Sequence, residues 1–299
     1  MNHKLSPSTA LLLTVPPVLW AGNAIAGRLL RDAVPPMTLN LLRWSLALLI
    51  VLPLARAVFA PGSGLWSNWR RFGMLGLLGI GLYNSLQYLA LRTSTPINVT
   101  LVAASMPVWM MLVGLLFFRM QVRARQVAGA ALSIAGVLLV LSRGDPAVLQ
   151  SLRLVPGDLY MIAASIAWAF YTWLLLQPGD PPAIRADWAA FMFAQVLYGV
   201  AWSGLFTAAE WALVPVRIEF GWTLVLGLLY VAVGPAVVAL RCWGAGVQRA
   251  GPNVAAFFSN LTPLFAALLS SAFLGEAPQL YHAGAFGLIV AGIVLSSRR

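Results

Sequence analysis

The stretch SIAGVLL at residues 133–139 recurs as IVAGIVL at residues 289–295, which is 156 residues further along the chain. The same shift aligns Met106-Pro107-Val108 with Thr262-Pro263-Leu264. Self-similarity at one spacing indicates duplicated units. The two copies of each segment therefore predict a chain built from two homologous halves.

A third pair of segments places the boundary between the halves. Trp20-Ala21 aligns with Trp168-Ala169 at a shift of 148 residues, as expected when loops of unequal length separate equivalent segments. We therefore expect a first repeat over residues 1–150 and a second over residues 151–299.

The composition excludes most soluble classes of protein. Of 299 residues, 61% are apolar and 9% are charged, and the mean hydropathy is +0.85. Soluble domains carry roughly 45–50% apolar and about 25% charged residues. The net charge of +11 comes from basic residues scattered between apolar runs, whereas a nucleic-acid surface gathers them in one patch. The chain is predicted to cross a membrane several times and to bind no nucleic acid.

Apolar runs predict ten transmembrane helices, because one crossing needs about 20 mostly apolar residues. None of the runs alternates polar and apolar residues as barrel strands do. The predicted fold class is therefore all-α, with spans near residues 9–29, 38–59, 72–92, 96–118, 124–142, 157–176, 188–208, 223–248, 253–274 and 280–296.

Basic residues predict the orientation of these spans. With the N-terminus inside, inner segments hold eleven Lys or Arg residues and outer segments hold six. This excess favours both termini in the cytoplasm. Five spans per half is an odd number, so the second half enters the membrane from the opposite side. Inverted repeats of this kind build many transporters, with the substrate near the midplane. A duplicated bundle without transport activity is the alternative.

Three motifs make the chain resemble a known family. Trp20-Ala21-Gly22-Asn23 is similar to its opening W-G-x-N/S pattern, the proline-centred fourth and ninth spans match its repeat, and Leu274-Gly275-Glu276 matches its L-G-E signature. Phe118-Arg119-Met120 departs from that signature in the first half. The family is the drug/metabolite transporter superfamily, of EamA type, and the chain most resembles the YddG-type exporters of aromatic amino acids. The resemblance implies a permease of the bacterial inner membrane that moves small metabolites outward.

Two prolines are candidate hinges. Pro107 and Pro263 lie near the middle of spans four and nine, where each removes a backbone hydrogen bond and tends to kink its helix. A static kink without movement is the alternative.

Polar and aromatic side chains inside the spans predict a substrate cavity. Amides exposed to hydrocarbon are costly, so they should face protein or water. An aromatic wall with a few amide and hydroxyl groups suits a flat apolar ligand with a zwitterionic head. Interhelical hydrogen bonding is the alternative for any one of them. The candidate contacts are Trp20, Asn23, Tyr83, Asn84, Gln87, Tyr88, Ser105, Trp109, Trp168, Tyr171, Ser259 and Asn260.

Two arginines lie inside spans. Arg43 and Arg241 are each suited to a substrate carboxylate, and each also suits snorkelling or binding to backbone carbonyls. The half-helix amide ends beside Pro107 or Pro263 are competing carboxylate sites. Arg241 is included among the candidate substrate contacts. Arg43 lies about five residues inside span two, and a structural role is favoured for it.

Acidic residues are missing from the centres of the spans, which argues against proton coupling and against bulky cations as cargo. We therefore expect facilitative export, with Glu276, His282 or an acid at a span edge as the relay if coupling exists. No enzyme motif, cofactor or metal site is expected, and the single cysteine, Cys242, excludes an internal disulfide.

Together these patterns predict an exporter of small metabolites, amino acids with aromatic or apolar side chains, working by alternating access. The predicted partners are a small-molecule substrate and the lipid bilayer. A permease for another metabolite or drug, an uptake carrier and a membrane-embedded interaction or sensory protein remain alternatives.

Overall fold

The computed structural model describes residues 5–30, 33–94, 96–150, 153–274 and 279–297. Over these ranges the secondary structure is helical and contains no strand. The first half contributes α1 Pro7–Leu30, α2 Pro36–Val51, α3 Trp69–Gly76, α4 Tyr83–Thr93, α5 Pro96–Ala104, α6 Met106–Phe117, α7 Ala124–Leu141 and α8 Pro146–Gln150.

The second half comprises α9 Pro156–Leu174, α10 Pro182–Ala186, α11 Trp188–Leu213, α12 Trp222–Val231, α13 Ala239–Ala250, α14 Pro252–Ser259, α15 Thr262–Leu274 and α16 Leu280–Ser297. It follows the same order of helices as the first half once the short α8 and α10 are set aside. Helices lie at all ten of the predicted apolar runs, and the all-α membrane fold is confirmed.

Length and hydropathy by themselves support eight or nine crossings among the described residues. Among the described residues, eight helices qualify as spans, and a ninth is added if α5 and α6, bent by 41° at Ser105, count as one. The remaining run forms α9, whose 19 residues include Asp158 and two tyrosines and which is not among these spans. Ten membrane crossings remain a prediction.

A proline or a carboxylate side chain marks the start of each of three long helices. Pro36 begins α2, a position where a missing N–H is harmless. The Asp187 carboxylate accepts a hydrogen bond of 2.9 Å from Ala189 N at the start of α11. Asp158 accepts one of 2.9 Å from Val155 N at the start of α9. These bonds fix where the long helices enter the bundle.

Two spans contain a π-helical segment. Leu77–Leu82 joins α3 to α4, and Ala232–Val238 joins α12 to α13 around Pro235. A π-helical turn widens the backbone and is frequently found at functional sites. Gly79 and Pro235, one from each segment, border the cavity described below.

Small residues hold the halves together along α7 and α16. A Cβ atom on Gly129 would lie 2.8 Å from Gly292 O, and one on Gly292 would lie 2.6 Å from Gly129 O. Further along, a Cβ on Gly136 would lie 2.9 Å from Ala285 O, so the two helices run antiparallel. Close backbone approach is the main source of helix association in lipid, because lipid tails are as apolar as leucine.

Candidate functional site

A cavity of about 820 Å³ lies between the helices. It reaches from Trp20, in the middle of α1, to the loop at Val34 and Pro35 that follows α1, and to the ends of α4 and α11. Its volume falls within the range of small-molecule sites. The mouth of the cavity is the end near Pro35 and Pro215.

The cavity lining is aromatic and basic. Its polar groups are amides and hydroxyls, and no Asp or Glu occurs among the described lining residues. The aromatic and charged members are Trp20, Trp44, Tyr83, Tyr88, Trp168, Arg43, Arg92 and Arg217; the uncharged polar members are Asn23, Asn84, Gln87, Thr100, Ser259, Asn260 and Thr262.

Arg43 is the buried cation of the cavity. Its side chain projects from α2, and the residue is 2% exposed. Nη1 donates hydrogen bonds to Asn84 Oδ1 at 3.2 Å and to Asn23 Oδ1 at 3.5 Å. Its Cζ atom lies 5.0 Å from the ring centroid of Trp44, while Nε is buried without a partner. The guanidinium therefore links α1, α2 and α4, and its Nε–H group remains free to donate a hydrogen bond.

An aromatic cluster, defined here as Trp20, Tyr83, Trp168, Tyr171 and Trp243, closes the inner end of the cavity. The Trp168 ring is at its centre, with centroid distances of 4.8 Å to Tyr83, 5.0 Å to Tyr171 and 5.6 Å to Trp243. Trp20 lies 5.6 Å from Trp168 in an edge-to-face arrangement. The cluster presents the Trp20, Tyr83 and Trp168 rings to the cavity.

Beyond the aromatic cluster, on the side away from the cavity mouth, an ion-pair network joins the spans. Asp180 accepts from Arg71 Nε at 2.9 Å and from Arg185 Nη1 at 3.1 Å. Arg71 Nη2 also donates to Leu174 O at 2.6 Å. These contacts connect the start of α3 to the end of α9 and to α10.

Two helix breaks border the cavity. Ser105 separates α5 from α6, and Asn260 and Leu261 separate α14 from α15. Asn260 Nδ2 donates to Ala104 O at 3.2 Å and to Ser133 Oγ at 2.9 Å, and its Oδ1 is buried without a partner. Pro107 and Pro263 occupy the first turns of α6 and α15, so each starts a half-helix after a break instead of kinking a continuous one. Pro263 lines the cavity and Pro107 is buried away from it.

Several of the predicted site residues come together in this cavity. They are Trp20, Asn23, Tyr83, Asn84, Gln87, Tyr88, Trp168, Ser259 and Asn260. Their role in binding remains a prediction.

Four other candidates lie away from the cavity. Trp109 Nε1 donates to Ser105 Oγ at 2.9 Å, so these two side chains satisfy each other. Tyr171 is buried behind Trp168, and its hydroxyl donates to Gln195 Oε1 at 3.0 Å. Arg241 is exposed, with Cζ 5.2 Å from the ring centroid of Trp188, where it meets no substrate cavity.

The structure describes one of the two named candidate proton relays. His282 Nδ1 accepts from Gln279 N at 2.9 Å at the start of α16 and does not line the cavity. Glu276 lies outside the described residues.

Three arginines on the cavity lining, Arg43, Arg92 and Arg217, are not among the substrate contacts that the sequence predicts. Arg92 and Arg217 had been counted only as loop charges that set the orientation. Arg43 was assigned a structural role because a position near a span end also fits snorkelling. The sequence signal for Arg43 is its company of amides at the same depth in neighbouring spans, Asn23 and Asn84, to which it donates in the structure.

Comparison with known proteins identifies this architecture. The EamA-like transporter family matches the chain twice, over residues 7–142 and 155–298. An uncharacterized transporter of Archaeoglobus fulgidus is 29% identical over 100% of this chain and 99% of its own length. The aromatic amino acid exporter YddG of Ancylobacter novellus is 28% identical over 98% of each chain. A crystal structure with 23% identity covers 97% of both chains at a TM-score of 0.73, which supports the fold.

Proposed function

Because the chain belongs to the EamA-like transporter family and is a membrane transporter, we propose that it exports amino acids with aromatic or apolar side chains by alternating access. The cavity of about 820 Å³ is the single observation that carries this proposal. Its Trp20, Tyr83 and Trp168 rings offer flat contact surfaces to an apolar side chain. The amides and Arg43 offer hydrogen bonds to a polar head.

The distribution of contacts supports an outward-open conformation. The cavity reaches the ends of α1, α4 and α11, which the distribution of basic residues predicts to lie outside. The aromatic cluster and the Asp180 ion pairs lie toward the other side. Alternating access then requires that these contacts separate while the mouth around Pro35 and Pro215 closes.

Reciprocal contacts between the halves support an inverted repeat. At the shift of 156 residues, Gly129 is equivalent to Ala285 and Gly136 to Gly292. The close approaches are Gly129 to Gly292 and Gly136 to Ala285, which exchange under that equivalence. This is the pattern expected where a pseudo-two-fold axis passes between two helices. Two halves related in this way can exchange conformations and so open the cavity to either side.

Similarity supports the substrate class. The relative from Ancylobacter novellus is named an aromatic amino acid exporter, and it aligns over nearly the whole chain. The uncharged aromatic end of the cavity suits the same kind of side chain.

Efflux from proteoliposomes tests the proposal. Vesicles holding purified protein are loaded with one labelled amino acid from an aromatic, aliphatic or charged set. We expect saturable efflux that is fastest for aromatic and apolar substrates and that needs no imposed pH gradient. Efflux no faster than from protein-free vesicles for every amino acid would contradict the substrate class. Accumulation driven by a pH gradient alone would contradict facilitative transport.

A further inference from the structure

We propose that Arg43 binds the carboxylate of the cargo and that the cavity recognises this carboxylate without requiring an ammonium group. The inference rests on the proposed function and deepens it, because it names the part of the substrate that is recognised. It predicts that carboxylates lacking the amino group are ligands, and that amines lacking the carboxylate are not.

The first argument is the missing counter-charge of Arg43. The guanidinium is buried inside a membrane span, and it has no carboxylate partner among the described residues. A buried cation is costly unless it is paired, and ionisable groups inside spans mostly pair or face a water-filled cavity. Arg43 lines the cavity, and its Nε is without a partner. A carboxylate that enters the cavity supplies both the charge and the acceptor.

The second argument is the orientation of two amides. Arginine has no acceptor, so Asn84 and Asn23 turn their Oδ1 atoms toward Arg43. Their Nδ2 groups consequently point away from Arg43, and neither has a hydrogen-bond partner within the described part of the chain. The group of Arg43, Asn23 and Asn84 is therefore rich in donors. Donors bind a carboxylate and offer nothing to an ammonium group.

The third argument is the charge of the whole cavity. Arg92 and Arg217 join Arg43 on the lining, and acidic residues are missing from its described part. Arg217 pairs with Glu219 at 3.1 Å at the exposed mouth, so Arg43 and Arg92 supply the uncompensated charge. A cleft lined by one sign of charge concentrates ligands of the opposite sign. An ammonium group finds no carboxylate there. The negative charge of the cargo thus meets cations, whereas its positive charge meets only neutral acceptors such as Asn260 Oδ1.

Three ligands of one shape separate these contributions: phenylalanine, 3-phenylpropionate, which lacks the amino group, and 2-phenylethylamine, which lacks the carboxylate. Binding is measured by the rise in unfolding temperature of the purified full-length chain in detergent, which avoids leakage of these compounds across vesicles. We expect phenylalanine and 3-phenylpropionate to stabilise the protein at similar concentrations and 2-phenylethylamine to have no effect.

The matched variants are Arg43→Gln and Arg241→Gln. We expect Arg43→Gln to weaken the binding of phenylalanine and of 3-phenylpropionate by about tenfold or more, because hydrogen bonds to a charged group are lost. Arg241→Gln removes an exposed arginine outside the cavity and should leave binding unchanged. Arg43→Lys keeps the charge without the planar fork and should retain part of the affinity even if Arg43→Gln folds poorly.

The outcomes separate this inference from the proposed function. Binding of phenylalanine that is unchanged in Arg43→Gln, or binding of 2-phenylethylamine as tight as that of phenylalanine, overturns the carboxylate assignment while amino acid transport stands. Binding of 3-phenylpropionate but not of phenylalanine supports the assignment and overturns the proposed cargo. Binding of none of the three overturns both.

Discussion

Buried polar side chains in this molecule are satisfied mainly by groups on other helices. Asn40 on α2 donates through Nδ2 to Ile80 O at 3.2 Å and to Ser203 Oγ at 3.1 Å. Glu210 on α11 accepts from Met37 N at 3.1 Å and from Thr38 N at 3.0 Å. In hydrocarbon no water replaces a lost partner, so each of these bonds also holds two spans in register.

Glu210 allows a stability prediction. Its carboxylate satisfies two N–H groups at the start of α2, and the residue is 8% exposed. Glu210→Ala leaves both donors buried and unpaired, which we expect to destabilise the fold by about 2–4 kcal/mol. Glu210→Gln keeps one acceptor oxygen and should therefore reduce the stability of the fold by less than Glu210→Ala does. The measurement is thermal unfolding in detergent; equal unfolding temperatures for Glu210→Ala and the unmodified chain would contradict this cap.

Trp168 allows a prediction about transport. Its ring is central to the aromatic cluster and borders the cavity. Trp168→Phe keeps a ring but loses area, and an aromatic pair is worth about 0.5–1.5 kcal/mol. We expect the half-saturating concentration for aromatic substrates in proteoliposomes to rise by about two- to tenfold.

The control for Trp168→Phe is Trp222→Phe, since Trp222 is 80% exposed at the start of α12. It should leave transport unchanged. If both variants change transport equally, the aromatic cluster has no special role in binding.

At the scale of the helix, the contact of α7 with α16 depends on glycines. Glycine is needed there because the opposing atom is a backbone oxygen, which cannot move aside as a flexible side chain does. The same argument explains why the repeated segments both contain Ala-Gly at the contact. The sequence motif that revealed the duplication is thus also part of the interface between the halves.

Gly292→Val tests this interface. The added Cβ would lie 2.6 Å from Gly129 O, so the two helices must separate. We expect little folded, monodisperse protein, or an unfolding temperature lowered by several degrees, on size-exclusion chromatography and thermal unfolding. Gly287→Val is the matched control on the same helix, because nothing lies within 4 Å of its new Cβ. Loss of folding in Gly287→Val alone would show that helix propensity, not close packing, is limiting.

At the scale of the whole molecule, the arrangement of the two halves governs sidedness. The predicted odd number of crossings in each half would place both termini on one side of the membrane and invert the second half. The topology prediction then puts residues 214–221 outside with the cavity mouth, and residues 60–68 and the Asp180 ion pairs inside.

Cysteine labelling tests this topology on a Cys242→Ala background. We expect Val216→Cys to react with a membrane-impermeant maleimide on intact cells, and Ser67→Cys to react only after lysis; both positions are exposed loop residues. Epitope tags on the two termini should be accessible only after lysis. Tags on opposite sides of the membrane would rule out two inverted five-span halves.

The helices and the membrane class follow from the sequence by itself. Apolar run length determines where helices form in lipid, because each backbone group must be bonded within its own segment. The positions of all ten helical regions were therefore predictable. The two helix breaks, at Ser105 before α6 and at Asn260 and Leu261 before α15, were predictable only in part. The prolines indicated a kink in each span but not two separate half-helices.

Only the tertiary structure decided which polar side chains share the cavity. Trp168 and Tyr171 lie on one face of α9, yet Tyr171 fills the space beside Gly79 and bonds to Gln195 instead of facing the cavity. Arg43 belongs to the site because it lines the cavity and binds Asn23 and Asn84, which come from two other helices. Helical spacing determines which residues share a face, whereas the rotation of each helix depends on the side-chain volumes of its neighbours, which are far away in the sequence.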